Sequence, residues 1–106
     1  MEPNEAKLQI EKILGTQIRY EGHFNKIIAT MDDNIINALL QWTKDCKEDR
    51  AYFKQSKKIS GLLIFIFRPN DTRYRAILTK KRNEYFLSFF LDKHKYYERE
   101  LQELGM

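Results

Sequence analysis

The sequence predicts an α+β fold with an antiparallel sheet of about four strands, a helical hairpin on one face, and short helices at both termini. Three observations carry this prediction. Residues 61–91 form three runs rich in isoleucine, phenylalanine, tyrosine and threonine, separated by two short polar connections. Residues 23–48 place their apolar residues at the spacing of a helix face, and residues 16–22 alternate apolar with polar side chains, as in a strand at a sheet edge. The change from helical to strand periodicity near Ser60 separates the two parts.

The strand-rich part is predicted to be a three-stranded antiparallel meander. Pro69, Asn70 and Asp71 suit a turn between the first two strands, and residues 80–83 form a second polar turn. The first strand is apolar throughout, which is typical of a strand covered on both faces. The other two strands alternate, so one face is predicted to be core while the other carries Arg73 and Arg75 beside aromatic residues.

The helices are predicted from apolar stripes and from the residues at their ends. Asn4 is the expected N-cap of the first helix, and Gly15 suits the left-handed position that ends it. Asp32 or Asp33 offers an N-cap for the second half of the helical hairpin. After the sheet, Asp92 is the expected N-cap of a short C-terminal helix.

Length and composition predict one domain spanning residues 1–106. No apolar run approaches the roughly 20 residues that a membrane helix needs, so we expect no membrane partner. Cys46 is the only cysteine, which excludes an intramolecular disulfide and fits a cytoplasmic location. One cysteine and two histidines offer no zinc-finger spacing, and we expect no metal and no other cofactor.

The net charge of +4 is distributed unevenly along the chain. Residues 1–50 carry 7 basic and 9 acidic side chains, whereas residues 51–106 carry 12 basic and 6 acidic ones. A basic half indicates an anionic partner, and because the charge lies on strands and turns we favour nucleic acid over a membrane surface. Residues 47–58 are predicted to be a charged linker, and such runs are more often solvated than functional.

His94 is the candidate for proton transfer. It lies where the last strand leaves the sheet, next to the strand that carries Arg73 and Arg75. Metal-free RNA cleavage needs a base for the 2′-hydroxyl, an acid for the leaving 5′-oxygen, and cations around the phosphate. Histidine suits either proton role, tyrosine can donate a proton or stack on a base, and arginine binds phosphate oxygens. The alternative is a solvated histidine among lysines, which is the commoner situation.

Two segments of the strand-rich part carry a resemblance to a known family. Residues 74–78 read Tyr-Arg-Ala-Ile-Leu, and residues 90–101 place basic residues and then tyrosines after the last strand. Both segments, and the order of predicted elements over residues 16–104, resemble the RelE/ParE toxin superfamily of bacterial toxin–antitoxin systems. The resemblance implies an mRNA endonuclease that acts on RNA, including RNA on the ribosome, and that has a cognate antitoxin protein as its partner.

The resemblance also implies roles for individual residues. Arg75 matches the family's strand arginine, which contacts phosphate, and the family's tyrosine falls on Tyr96 or Tyr97. The catalytic set is accordingly predicted to be His94, Arg75, Tyr97 and Tyr96. The RNA-binding set is predicted to be Arg73, Lys93, Lys95, Lys54, Lys57 and Lys58.

The sequence departs from the family pattern in three respects. It has an additional N-terminal helix, an acidic N-terminal half, and Phe65 and Phe67 where many relatives have a more polar strand. These departures bear on ribosome docking more than on the fold. A second hypothesis is therefore a non-catalytic module on the same fold that binds nucleic acid or protein, in the manner of ParE-like relatives. The two hypotheses require different arrangements of side chains, because only catalysis needs His94, Arg75 and a tyrosine around one phosphate.

Overall fold

Four helices and five strands make up the α+β fold in the computed structural model, which describes residues 1–106. In chain order the elements are α1 (Pro3–Leu14), β1 (Arg19–Tyr20), α2 (Phe24–Ile28), α3 (Asp33–Lys47), β2 (Phe53–Gln55), β3 (Leu63–Phe67), β4 (Tyr74–Lys81), β5 (Glu84–Leu91) and α4 (His94–Glu103).

The predicted meander is confirmed and forms the middle of the sheet. The strand order is β1-β5-β4-β3-β2, with β1 parallel to β5 and every other pair antiparallel. The sheet has five strands instead of about four, because β2 forms within the predicted charged linker. Only Phe53 of β2 packs inward, with its ring 5.4 Å from that of Phe65, so this edge strand leaves no alternating apolar pattern in the sequence.

The main hydrophobic core lies between the sheet and helices α1, α2 and α3. The face of the sheet that these helices cover is called here the core face. The helical face of α3 ends in a buried Cys46, and burial raises the pKa of this thiol well above its usual value. The apolar residues of the helical hairpin and of β3 are buried to different extents. Ile28, Leu39 and Phe65 are fully buried, whereas Leu63, Leu40 and Trp42 are partly buried.

The N-terminal helix also contributes to this core, with fewer buried residues than the helical hairpin. Its residues Ala6, Ile10 and Leu14 are 0–1% exposed, and α1 packs on both α2 and α3. The predicted break in the hairpin is confirmed, because α2 ends at Ile28 and the Asp32 carboxylate caps α3 by accepting from the Ile35 N–H at 2.9 Å. The αL end of α1 at Gly15 is also confirmed, with φ 77°.

Two of the predicted N-caps are wrong. Pro3 occupies the first turn of α1, where its fixed φ suits a helix start, so the helix begins before Asn4 and Glu2 is its N-cap. Asp92 takes a left-handed φ of 55°, and its N–H extends the sheet ladder by donating to the Arg73 carbonyl at 2.9 Å. The cap of α4 is therefore Lys93.

The opposite face of the sheet is less open than the sequence suggested. Helix α4 crosses it and buries a second cluster, which consists of Leu62, Ile64, Ile66, Ile77 and Tyr97. The end of α4 is fastened beside β2, where the Lys57 N–H donates to the Gly105 carbonyl at 2.9 Å and the Ser56 hydroxyl donates to the Leu104 carbonyl. The face of the sheet that α4 crosses is called here the α4 face. Its arginine and aromatic side chains remain accessible mainly at the two ends of the face.

Candidate functional site

One end of the sheet gathers most of the predicted site residues. β4 begins where β5 ends, because Tyr74 pairs with Leu91, and α4 starts at His94. Arg68 reaches the same end, since Phe67 pairs with Ala76, although the sequence had not singled it out. This region is called here the basic end, and its members are Arg68, Arg73, Arg75, Lys93, His94, Lys95 and Tyr96.

His94 is held in place by the backbone just before β4. Its Nε2 lies 2.9 Å from the carbonyl oxygen of Thr72. A carbonyl can only accept, so Nε2 carries the proton and Nδ1 of the neutral ring is free to accept one. Because Thr72 directly precedes Arg73, this bond joins the candidate base to the segment that carries Arg73 and leads into β4.

Arg73 is engaged by a neighbouring carboxylate. Its Nη2 lies 2.7 Å from Asp71 Oδ2 and its Nε lies 3.1 Å from Asp71 Oδ1. These hydrogen bonds from Arg73 lower the pKa of the Asp71 carboxyl, and the same contact raises the pKa of Arg73. The Arg73 side chain is exposed, so a phosphate can compete with the half-buried Asp71 for the guanidinium.

Arg75 lies on the α4 face, next to the aromatic residues of β5. It is half-buried and stands across the ladder from Phe90. Its Nη1 donates to the Tyr74 carbonyl at 2.7 Å, which leaves its other N–H groups for a ligand.

The two candidate tyrosines have opposite environments. Tyr97 is 5% exposed, its ring meets that of Phe90 edge-on at 5.8 Å, and its hydroxyl is buried without a partner. Tyr96 is 55% exposed, and cationic groups of Lys93 and Arg99 lie 5.9 and 5.7 Å from its ring centre. Tyr96 is therefore the tyrosine that an RNA can reach.

The three lysines before the first core strand lie away from the basic end. Lys54 is on the outer strand β2, and the Lys58 Nζ donates to the Gln102 carbonyl near the C-terminal end of α4. His94 is at the opposite end of that helix, about 12 Å away along its axis at the usual rise per residue. Lys57 also contacts the end of the chain, through its backbone N–H and Gly105.

A cleft of about 450 Å³ opens beside the basic end, and several of its residues were not predicted. It is lined by Glu21, His23, Lys26, Ile27, Phe89, Phe90, Leu91, Lys93 and Tyr96. β1 runs parallel to β5 and pairs with it over two residues. The chain after β1 therefore continues towards the end of β5, which brings residues 21–27 there. That pairing has no local signal in the sequence, so only the strand prediction for residues 16–22 pointed towards this region.

A comparison of the chain with protein families, characterised proteins and solved structures finds no match. The RelE/ParE relationship therefore stays a prediction that rests on residues 74–78 and 90–101.

None of the four helices has the length and apolar composition that a membrane span requires. No three histidine, cysteine, aspartate or glutamate side chains converge as metal ligands.

Proposed function

We propose that the protein is a RelE-like toxin of a type II toxin–antitoxin system that cleaves mRNA at the basic end. The observation that carries the proposal is the bond between His94 Nε2 and the Thr72 carbonyl. It leaves Nδ1 as a proton acceptor beside Arg73, in a region with further cations at Arg75, Lys93 and Lys95. A cognate antitoxin is the protein partner that this function requires.

The proposed reaction is an intramolecular transesterification, in which the ribose 2′-oxygen attacks the adjacent phosphate of the RNA. Nδ1 of His94 takes the proton of the 2′-hydroxyl, and the 2′-oxygen attacks the phosphorus atom. The bond to the 5′-oxygen breaks, and this oxygen takes up a proton from an acid, for which the exposed candidates are the Lys93 ammonium and the Tyr96 hydroxyl. Arg73 and Arg75 stabilise the charge that builds on the phosphate. The products are a 2′,3′-cyclic phosphate and a 5′-hydroxyl.

The test is cleavage of end-labelled mRNA, with and without ribosomes, by the wild type and by His94→Ala. Loss of a positioned proton-transfer group lowers such rates by roughly a hundredfold or more, so the variant should be at least that impaired. Its thermal unfolding should be close to that of the wild type, because His94 is exposed. The cyclic phosphate on the 5′ fragment identifies the chemistry.

A second candidate is a binding module that does not cleave RNA. Two hydrogen bonds favour it: Arg73 donates to Asp71, and Arg75 donates to the Tyr74 carbonyl. Both guanidinium groups therefore have fewer N–H groups left to stabilise the charge of a transition state. Expression in bacteria separates the two functions. Growth arrest with intact RNA, equal for the wild type and His94→Ala, would support the binding module and exclude His94 catalysis.

A further inference from the structure

The cleft beside the basic end combines an apolar floor with a basic rim. Phe90, Leu91 and the exposed Tyr96 contribute apolar surface. The basic residues Lys26, Lys93 and His23 line the same cleft. Its volume of about 450 Å³ is in the usual range for small-ligand sites, roughly 300–1,000 Å³. None of the three basic side chains has a salt-bridge partner. The cleft therefore suits a ligand with an apolar part and a negatively charged part.

Glu21 is the exception to this basic lining. Its Oε1 is buried without a hydrogen-bond partner, and its carboxylate makes no ion pair although three basic residues line the same cleft. A buried acceptor without a donor is costly, and few such groups occur in folded proteins. The terminal torsion of glutamate has a broad minimum, so rotation about it can turn this carboxylate toward the cleft. A ligand with two adjacent N–H donors would then satisfy both oxygens.

The open edge of β5 supplies further polar groups. β1 pairs with β5 only at Phe86 and Leu87, and the last bond of this ladder runs from the Glu21 N–H to the Leu87 carbonyl at 3.1 Å. Backbone groups of alternate strand residues point to the same edge, so those of Phe89 and Leu91 face the cleft. Tyr96 adds an exposed ring on which a base can stack.

We propose that this cleft binds one guanine base of a single-stranded RNA and that Glu21 reads its Watson–Crick edge. The assignment rests on the proposed function, because it places a base of the substrate next to the residues that act on the phosphate. Guanine presents N1–H and N2–H side by side, which is the donor pair that a carboxylate accepts. Tyr96 stacks on the base, and Lys26 and Lys93 bind the flanking phosphates.

The test measures binding without cleavage. Fluorescein-labelled 2′-O-methyl hexauridylates, which have no free 2′-hydroxyl, carry a single guanosine, inosine, adenosine or cytidine at the centre. Fluorescence anisotropy should show guanosine binding about tenfold or more tighter than inosine, which lacks the N2 amino group. Glu21→Gln should remove the preference for guanosine over inosine, because the amide has a single acceptor oxygen and cannot accept from both N1–H and N2–H.

Glu84→Gln is the matched control. It makes the same charge change at an exposed residue at the other end of β5 and should keep the preference for guanosine. Circular dichroism of Glu21→Gln establishes that the variant is folded.

The outcomes separate this inference from the proposed function. Equal binding of all four oligonucleotides, a preference for another base, or a preference for guanosine over inosine that survives Glu21→Gln would overturn the guanine site. If the protein cleaves RNA while any of these holds, the inference fails alone. If RNA is neither bound nor cleaved but an extended acidic peptide binds the cleft, both the inference and the proposed function fail.

Discussion

Tyr96 and Tyr97 are neighbours in sequence, but their side chains have different environments and therefore different roles. The Tyr97 hydroxyl is buried without a partner, so it contributes no hydrogen bond to stability. Tyr97→Phe should change the free energy of unfolding by less than about 1 kcal/mol, and in the stabilising direction, because it removes an unsatisfied polar group. Chemical denaturation measures this change.

Tyr96→Ala is the paired variant. It should leave stability nearly unchanged, because the ring is 55% exposed, but it should weaken RNA binding by removing a stacking surface. Cleavage and anisotropy assays on both variants decide between the two tyrosines. A loss of activity in Tyr97→Phe, with Tyr96→Ala intact, would reverse the assignment.

Asp71 competes with RNA for Arg73. Its carboxylate makes two hydrogen bonds to the guanidinium in the free protein, at 2.7 and 3.1 Å. Asp71→Asn removes a negative charge from the basic end and weakens this engagement, so RNA should bind severalfold more tightly. Anisotropy at fixed salt measures the affinity, with Asp33→Asn, at an exposed residue in the first turn of α3, as the control for charge alone. Unchanged affinity would place Arg73 outside the RNA contact.

At the scale of elements, the end of α4 is fixed by close backbone packing at Gly105. This residue has φ 86°, and a Cβ there would lie 2.7 Å from the backbone nitrogen of Lys58. Gly105→Ala combines a left-handed alanine with a steric clash and should cost about 2–4 kcal/mol of unfolding free energy. Gly15→Ala is the control, because its φ is similar at 77° but no atom lies within 4 Å of the added Cβ.

The control should cost only about 1 kcal/mol, from backbone conformation alone. Chemical denaturation of both variants gives the difference, which reports the contact between the chain end and residues 56–58. Equal losses would mean that this contact adds nothing to the stability of α4.

The elements with local signals were predictable from the sequence. The meander has three apolar runs and two polar turns, and α3 has a capping aspartate before an apolar stripe, so each was predicted without tertiary information. β2 and the parallel pairing of β1 were not, because each strand has three residues or fewer and depends on a partner distant in sequence. The docking of α4 on the sheet was not predicted either, because its apolar spacing predicts a helix but does not identify the strands that it contacts, β4 and β5.

The candidate site was predictable in part. Placing His94 near Arg73 follows from strand register, because the end of β5 must meet the start of β4 in a meander. The burial of Tyr97 also had a signal, since it shares helical spacing with Leu101 and Leu104. Glu21, His23 and Lys26 had none, because only the β1–β5 pairing brings them to the cleft.

At the scale of the whole molecule, the positive charge divides between two separated regions. Lys93 and Lys95 belong to the basic end, whereas Lys54 and Lys57 lie near β2 and the end of α4. Both sets were predicted from the sequence to bind RNA, because a sequence gives the charge of each side chain but not its position in the fold. The fold separates them along the length of α4, so a short RNA at the basic end would contact only the first pair.

Salt dependence of RNA binding tests this separation. Each lysine–phosphate contact on a single strand adds about 0.7 to the slope of log affinity against log salt, because counterions are released. Lys93→Ala with Lys95→Ala should therefore lower the slope by about 1.4 if both contact phosphate. Lys54→Ala with Lys57→Ala removes the same charge and should leave the slope of a short oligonucleotide unchanged. Equal effects of the two pairs would mean that RNA extends across the sheet to β2, and a wild-type affinity indifferent to salt would mean that phosphate contacts do not drive binding.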